Sequence, residues 1–336
     1  MGSQSQIDIS ILVVSYNTRE MTLACLDSIA RETRASSHEV IVVDNASSDG
    51  SAAAVGNHPI EPRLFALKHN IGFARANNLA ARHASGRYIL LLNPDTVVLG
   101  RAIDRLREFA EARPAAMIWG GRTQFVDGTL NPASCWSRMT PWNLTCRALG
   151  FTGVFPQTDL FNGEAYGGWL RDTTREVDIV SGCFLMMPRA LWEELGGFDE
   201  RFFMYGEEAD LCLRARALGA RPQVTPAASI IHHGGASEAT RAGKTIKLLA
   251  AKASLIDRHW SPLLRPVGLA LLEAWPLSRW LARTVEAAIT GSAHAIAAAA
   301  TWREVWSARR TWRRGYGADG SLASGGTGLP ASTAST

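Results

Sequence analysis

Apolar runs alternate with helical patterns along the first 110 residues of the chain. The segment Ile9–Ser15 (ISILVVS) is almost continuously apolar, which is typical of a strand buried on both faces of a parallel sheet. A helical pattern follows to about Glu32, and a second buried strand at residues 40–43 ends in Asp44. The alternation continues with a strand at 64–67, a helix at 73–83, a strand at 88–92 and a helix at 101–112. This order predicts right-handed βαβ crossovers and a Rossmann-like, mostly parallel sheet with flanking helices.

The pattern weakens in the middle of the chain and at its end. Residues 121–175 are rich in Gly, Trp, Pro and Thr without a clear period, so we predict loops and short strands that shape an acceptor cleft. Residues 177–188 then predict a strand, a glycine break and a second strand, followed by a helix at Arg189–Leu195. The second half of the GGFDERFFMYGEEADLCLRARALG block is helical in pattern. Residues 317–336 are rich in Gly, Ser, Ala and Thr, and we expect them to be disordered.

The charge distribution divides the chain of 336 residues, whose composition is 46% apolar. Residues 241–316 hold 13 Lys and Arg against 4 Asp and Glu, whereas residues 1–240 hold 22 against 26. We therefore predict a catalytic domain at 1–240 and a basic helical appendage at 241–316. The positive excess indicates an anionic partner such as a membrane surface, and the acidic remainder argues against a nucleic-acid partner.

One segment of the appendage, residues 301–315, has an amphipathic helical pattern. At 100° per residue, one arc of about 120° holds four apolar residues: Trp302, Val305, Trp306 and Trp312. Arg303, Arg310 and Arg314 lie along one border of that arc. Aromatic and guanidinium groups in this arrangement suit the headgroup region of a membrane. The alternative is that the helix packs back onto the catalytic domain, with its tryptophans in a core.

Cysteine usage and hydropathy bear on the compartment. The five cysteines are widely spaced and show no metal-ligand spacing, so we expect reduced, mostly buried thiols. The chain shows no basic and apolar leader and no run of about 18 apolar residues. We expect a cytoplasmic protein that is peripheral on the inner face of the cell membrane.

The candidate chemistry lies where predicted strands end. In an open parallel sheet, ligands bind beyond the carboxyl ends of the strands, and Asp44 and Asp95 follow two of them. Such carboxylates suit a nucleotide and a divalent metal, although each alone is equally typical of a turn. The turn after the first strand, Ser15-Tyr16-Asn17, lacks the glycines of a dinucleotide oxidoreductase. The phosphate-loop pattern GxxxxGK[ST] is also absent, which excludes a P-loop enzyme.

Six ordered motifs carry a resemblance to a known family: VVSYN, VVDNASSDGS, NIGFARANN, LLLNPDTVV, the GGFDERFFMYGEEADLCLRA block and HHGGAS. Over residues 7–237 the chain resembles the family 2 glycosyltransferases of GT-A type, in particular the bacterial rhamnosyltransferase-like branch. The resemblance implies inverting transfer of a sugar, such as L-rhamnose from dTDP-rhamnose, onto a lipid-linked or polysaccharide acceptor in cell-surface glycan synthesis. A UDP-hexose or UDP-N-acetylhexosamine donor remains an alternative, as does a non-catalytic sugar-binding scaffold. A sugar-nucleotide pyrophosphorylase is disfavoured because no basic glycine-rich loop follows the first strand.

The resemblance also implies roles on the donor side. It assigns nucleotide-sugar binding to eight residues: Ser15, Tyr16, Asn17, Asp44, Arg75, Asn77, Asn78 and Asn93. It implies that Asp95, with His232 or the adjacent His233, binds the Mg²⁺ or Mn²⁺ that bridges the diphosphate. Asn93 departs from the acid usual at the start of this motif, and a neutral amide weakens the expected metal affinity.

On the acceptor side, the resemblance places the general base at Glu208, with Glu207 and Asp210 beside it. An inverting transferase needs one carboxylate to take the proton of the attacking hydroxyl. Acids also favour helix N-termini, so these three residues could instead be a solvated helix start. The resemblance assigns Ser181, Gly182 and Cys183 to the acceptor side of the cleft.

Overall fold

A computed structural model describes residues 7–234 and 240–322 as a mixed β-sheet flanked by helices. The strands are β1 (Ile9–Ser15), β2 (His38–Asp44), β3 (Arg63–Ala66), β4 (Tyr88–Leu92), β5 (Thr96–Leu99), β6 (Trp119–Gln124), β7 (Cys135–Trp136), β8 (Arg175–Glu176), β9 (Ile179–Val180), β10 (Phe184–Pro188) and β11 (Gln223–His232). The helices are α1 (Arg19–Glu32), α2 (Ser51–Gly56), α3 (Phe73–Ala81), α4 (Ala102–Ala112), α5 (Pro141–Leu149), α6 (Phe151–Val154), α7 (Arg189–Leu195), α8 (Glu207–Ala217), α9 (Arg241–His259), α10 (Arg265–Thr290), α11 (Ala293–Ser307) and α12 (Arg309–Trp312).

The main sheet runs in the order β3-β2-β1-β4-β10-β6-β11-β5, with β8 paired to β11. Strands β3, β2, β1 and β4 are parallel, as predicted, whereas β10 is antiparallel to both β4 and β6. The register pairs Ser15 with Asp44, so β1 and β2 end at the same edge of the sheet. That edge carries the polar loops in which ligands of such sheets bind.

The near-continuous apolar runs of the inner strands follow from burial on both faces. Leu12 and Val14 of β1 pack in one core cluster, and the alternating Ile11 and Val13 pack in the cluster on the other face. All five cysteines are buried and form no disulfide, as expected.

The middle of the chain contains more regular structure than predicted. Residues 121–175 lie partly in β6 and include α5, where the Thr140 hydroxyl accepts a hydrogen bond from the Asn143 backbone N–H at 3.1 Å. Gly150, at φ +87°, ends that helix. The short strands β7 and β8 agree with the prediction of loops and short strands, but helix α5 was not predicted, because a nine-residue helix is too short to display a clear period.

The basic appendage shares the core of the catalytic body. Leu249, Ala250 and Ile256 of α9 are fully buried in the same cluster as Leu12 of β1. Val305 and Trp312 are also fully buried, and the Trp312 indole donates to the Val305 carbonyl at 2.8 Å. The Trp302 and Trp275 rings lie 6.1 Å apart between their centroids, in a tilted arrangement. The prediction that this tryptophan face lies on a membrane was therefore wrong, and the alternative of inward packing is confirmed.

Helix α10 presents a different apolar surface. Val267, Leu281, Val285 and Ile289 are 47%, 54%, 58% and 79% exposed, and they fall within about 80° of the helix circumference. We call these four residues the α10 stripe. Leu263, just before the helix, is 88% exposed. No helix among the described residues is long and apolar enough to cross a membrane.

The start of the predicted disordered tail is folded. Tyr316 forms a β-bridge with Leu322, and the Gly317 backbone N–H donates to the Ser321 carbonyl at 2.8 Å. The prediction was thus wrong for residues 317–322, because this turn satisfies its own backbone groups and packs against the protein. Residues 323–336 lie outside the described part of the chain, as do residues 235–237 of the HHGGAS motif.

Candidate active site

A cleft of about 490 Å³ lies at the carboxyl ends of β1 and β4. It is lined by ten of the residues predicted from the sequence: Tyr16, Asn93, Asp95, Ser181, Gly182, Cys183, Glu207, Glu208, His232 and His233. They come from five separate parts of the chain. The cleft therefore brings the predicted donor, metal and acceptor residues into one space.

Asp95 and His232 lie close together in one corner of the cleft. Strands β5 and β11 pair so that His232 lies opposite Thr96, which places His232 Nε2 3.4 Å from Asp95 Oδ1. The other Asp95 oxygen accepts from the Gly234 N–H at 2.9 Å. Burial lowers the pKa of His232, but Cys183 and Asp95 beside it raise the pKa more strongly, to about 10. The pair therefore holds a proton in the protein without a bound cation.

The donor atoms in this corner fit a divalent cation only together with a substrate. Asn93 Oδ1 and His232 Nδ1 are buried and have no hydrogen-bond partner among the described residues, and the Asn93 side-chain nitrogen lies 3.5 Å from His232 Nε2. No group of three His, Cys, Asp or Glu among the described residues could hold a metal. A single carboxylate, a histidine and an amide oxygen match the sparse protein ligation of Mg²⁺ and Mn²⁺ sites, in which substrate phosphates complete the coordination.

Two adjacent glutamates form another wall of the cleft, at the N-terminus of α8. Within the part of the chain that the structure describes, Glu207 and Glu208 each have one buried carboxylate oxygen without a hydrogen-bond partner. Burial raises the pKa of both, and the charge of Glu208 raises that of Glu207 further. Backbone N–H groups at the helix start and at Gly182 partly oppose the rise for Glu208. Burial therefore disfavours the charged form of both carboxyl groups, and the backbone N–H groups near Glu208 favour its carboxylate form.

The loop between β9 and β10 connects the two walls. The Cys183 carbonyl accepts from the Asn93 backbone N–H at 3.2 Å. Gly182 lies beside the base candidate, since a Cβ built on it would be 3.7 Å from Glu208 Cβ. Any side chain at position 182 would therefore occupy space next to that carboxylate.

Two predicted nucleotide-binding residues at or just after the end of β1, Ser15 and Asn17, do not line the cleft. Ser15 is fully buried, and its hydroxyl bonds to the Thr22 hydroxyl at 3.0 Å. The Asn17 side chain accepts from the Ser48 N–H at 2.8 Å. Both side chains stabilise the loops around the cleft. Of Ser15, Tyr16 and Asn17, only Tyr16 lines the cleft.

Asp44 lies just outside the cleft wall. One of its oxygens accepts from the Ser47 N–H at 3.0 Å, and the other is buried with no hydrogen bond to any residue that the structure describes. The next residue, Asn45, does line the cleft and donates to the Asn70 side chain at 2.9 Å.

The predicted donor residues of α3 are structural. Arg75 lies on the surface and donates to the Asp319 carbonyl at 3.4 Å. The Asn77 amide donates to the Phe73 carbonyl within the helix at 3.0 Å. Asn78 donates to the Phe198 carbonyl and accepts from the Phe198 N–H, both at 2.9 Å. The placement of these three in the donor site was wrong, because their polar groups are directed to the protein itself and none lines the cleft.

Asp210 is also structural. It is fully buried and accepts from Arg214 at 2.7 Å, Arg258 at 2.6 Å and His259 at 2.9 Å. A carboxylate paired with three cationic or donor groups cannot serve as a free base. The assignment of Asp210 to the catalytic residues was therefore wrong.

Sequence reasoning missed a cation in the cleft. Lys244, on the first turn of α9, lines the cleft together with Glu208 and His233. Among the described residues, no acidic group lies within ion-pair distance of its ammonium group. The only available signal was a lysine soon after the histidine motif, in a segment assigned to a separate appendage.

The family model described as glycosyl transferase family 2 matches residues 10–195. The chain is 31% identical over 236 residues to the O-antigen biosynthesis protein RfbC of Myxococcus xanthus, which covers 68% of this chain but only 17% of that protein. It is 29% identical to the N-acetylglucosaminyl-diphospho-decaprenol L-rhamnosyltransferase of Mycobacterium tuberculosis, over 66% of this chain and 75% of that one. The fold is similar to the mannosyltransferase PcManGT of Pyrobaculum calidifontis, solved with GDP-Man and Mn²⁺, at a TM-score of 0.54 and 22% identity. That match covers 92% of this chain and 84% of the other.

Proposed function

The chain belongs to glycosyl transferase family 2 and is a glycosyltransferase of GT-A fold, and from this we propose that it transfers L-rhamnose from dTDP-rhamnose, with inversion, to a lipid-linked acceptor. The relative from M. tuberculosis is named for L-rhamnose transfer to a lipid diphosphate sugar, which supports this choice of donor and acceptor class. UDP-sugars are the competing class of donor, and a thermal-shift comparison distinguishes them from dTDP-rhamnose.

The observation that carries the proposal is the pairing of two chemistries in one cleft. Glu208 lines one wall with a carboxylate oxygen that no described residue bonds to, and Asp95 with His232 forms another part of the wall. The acceptor hydroxyl loses its proton to Glu208 while its oxygen bonds to the anomeric carbon. The bond from that carbon to the phosphate oxygen breaks, and the diphosphate leaves with the electron pair.

The leaving diphosphate needs neutralisation. Asp95, His232 and Asn93 would hold a divalent cation, which when bound stabilises negative charge on phosphate oxygens. Lys244 adds a fixed positive charge from α9, in keeping with the loss of an acid at Asn93. An ammonium group is an effective point charge for phosphate.

We further propose that the protein lies on an anionic membrane surface. The α10 stripe supplies exposed apolar area, and residues 241–316 supply the positive excess described above. Both features favour binding at the headgroup boundary. A protein bound in this way would share the membrane surface with a lipid-linked acceptor.

A thermal-shift comparison tests the donor assignment. The protein is heated with dTDP, UDP, GDP, dTDP-rhamnose or UDP-N-acetylglucosamine, each with Mn²⁺ or with EDTA. We expect dTDP and dTDP-rhamnose with Mn²⁺ to raise Tm most, because a ligand that binds only the folded state stabilises it. A larger shift with UDP-N-acetylglucosamine would assign the competing donor, and no shift with any nucleotide would contradict the proposed function.

A further inference from the structure

A second cavity of about 600 Å³ lies behind helix α8. Its walls come from α8, α9, the segment after β7 and the turn between α9 and α10. The indole of Trp136 lines this cavity and also lines the catalytic cleft. The two spaces are therefore neighbours that share one wall.

The lining combines apolar and cationic groups. The apolar part includes Trp136, Met139, Leu213, Leu255, Trp260 and Leu264. The charged part includes Arg138, Lys252 and the acid Glu164. Arg216 also lines the cavity, but it is already paired with Asp178 at 3.1 Å. A ligand that fits this lining has an apolar body and a negative charge.

The single acid is already neutralised. Glu164 pairs with Lys252 and, at 3.0 Å, with Arg147. Burial opposes ionisation of Glu164, but the two cations outweigh it and lower its pKa to about 2. The three groups together carry one net positive charge. Arg138 adds another, since among the described residues no acidic side chain pairs with its exposed guanidinium group.

The cavity is close to the base candidate. Ala209, which follows Glu208 directly, lines the cavity. Leu213, which lies five residues after Glu208 on α8, also lines it. Five residues of helix rise about 7.5 Å. One molecule can thus present a hydroxyl at Glu208 and extend an anionic, apolar end past Trp136 into the cavity.

The far side of the cavity leads to the exposed leucines. Leu264 lines it and is 45% exposed, and the neighbouring Leu263 is 88% exposed. These residues immediately precede α10 and its stripe. An apolar chain leaving the cavity here would meet the surface that we assign to the membrane.

We propose that this cavity binds the phosphate and the first apolar segment of a lipid-linked sugar acceptor, that is, a sugar joined through phosphate to a long-chain isoprenoid alcohol, with a hydroxyl of the sugar at Glu208. The inference rests on the proposed function, because it names the acceptor of the same cleft. Lys252 and Arg138 pair with the phosphate charge, and the leucine and tryptophan side chains enclose the chain.

Binding of farnesyl diphosphate, measured by isothermal titration calorimetry without any nucleotide, tests the cavity. Ala217 is exposed and lines the cavity, so Ala217→Trp fills it, and Leu218→Trp on the next, non-lining residue is the matched control. Arg138→Gln, with the exposed Arg221→Gln as its control, removes charge without adding bulk. We expect Ala217→Trp and Arg138→Gln each to weaken binding about tenfold or more, and both controls to match the unaltered protein.

The other probes separate the sources of affinity. We expect farnesol and inorganic pyrophosphate each to bind far more weakly than farnesyl diphosphate, and phosphatidylglycerol not to displace it. Equal binding by the Ala217→Trp variant, or equal affinity for pyrophosphate, would overturn the proposal. Displacement by phosphatidylglycerol would do so too, by assigning the cavity to bulk lipid. Nucleotide thermal shifts on the same variants report the donor site independently, so a failure of the proposed function gives a different result.

Discussion

His259 Nε2 lies 2.9 Å from Asp210 Oδ1, and this contact ties the helix that carries Glu208 to the first helix of the basic region. Arg258 and Arg214 bind the same carboxylate, which is fully buried. The position of the candidate base therefore depends on residues about 50 positions further along the chain.

Asp210→Asn should destabilise the protein by about 1–3 kcal/mol, because the buried carboxylate loses its charge-assisted hydrogen bonds to the partly exposed Arg214, Arg258 and His259. Urea unfolding measures this, and Asp257→Asn on an exposed carboxylate should change stability by less than about 0.5 kcal/mol. Burial raises the pKa of Asp210, but His259, Arg214 and Arg258 lower it more, leaving it below its usual value. The stabilisation is thus complete above about pH 4 and is lost as the pH falls through the folded-state pKa. An unchanged unfolding midpoint for Asp210→Asn would show that the network contributes nothing.

Glu208→Gln should lower kcat by roughly 10²- to 10⁴-fold and leave the affinity for the nucleotide sugar nearly unchanged, since the base acts on the acceptor. Steady-state kinetics and calorimetry provide the two measurements. Glu207→Gln is the matched control, and it should cost less than about tenfold because Gln preserves the size and shape of the side chain while Glu208 remains to take the proton. Equal losses of rate and donor affinity in Glu208→Gln would instead indicate a structural role.

Asn93→Asp should strengthen the metal site. A second carboxylate beside Asp95 and His232 supplies charge that the amide lacks, so the Mn²⁺ concentration for half-maximal activity should fall by about tenfold. Asp95→Asn should have the opposite effect. An Asn93→Asp enzyme with an unchanged Mn²⁺ requirement would argue against a cation in this corner.

Lys244→Gln should weaken dTDP binding by about tenfold and leave thymidine binding unchanged, because the ammonium group acts on the diphosphate. Arg241→Gln, one turn away on the exposed side of α9, is the control. Titration calorimetry at two salt concentrations should show a reduced salt dependence for the Lys244 variant alone. Parallel losses for dTDP and thymidine would contradict a phosphate contact.

Replacing Val285 and Ile289 together with Ser should reduce sedimentation with anionic vesicles more than tenfold, since each apolar side chain transferred from water contributes about 1.5–3 kcal/mol when fully buried. Leu218→Ser removes an exposed leucine elsewhere and should have no effect. Vesicle binding that is unchanged in the double variant would exclude the α10 stripe as the membrane surface.

The parallel half of the sheet could be predicted because burial on both faces leaves an unmistakable apolar run, as in Ile9–Ser15. The motif residues at strand ends, such as Asp95 and His232, could also be placed, because parallel strands end at one edge. The structural role of Asn78 could not be predicted, because the sequence does not distinguish an asparagine whose amide bonds to the backbone from one whose amide faces a ligand. The burial of Trp312 could not be predicted either, because the pattern indicates an apolar face but not which surface covers it. Lys244 lines the cleft because α9 packs against the catalytic domain, and no local sequence pattern indicates that packing.

The Tyr316 hydroxyl donates to the carbonyl of Met204 at 2.6 Å, and the Met204 side chain lines the catalytic cleft. Phe202, two residues before Met204, packs edge to face against the Tyr316 ring. During synthesis, domains generally fold from the N-terminal end as the chain leaves the ribosome. The β1 to β4 half of the sheet can therefore form early, but the loop before Glu208 gains its contacts with Tyr316 only when that residue has emerged. Assembly of a complete catalytic cleft is accordingly among the last steps in the folding of this protein during its synthesis.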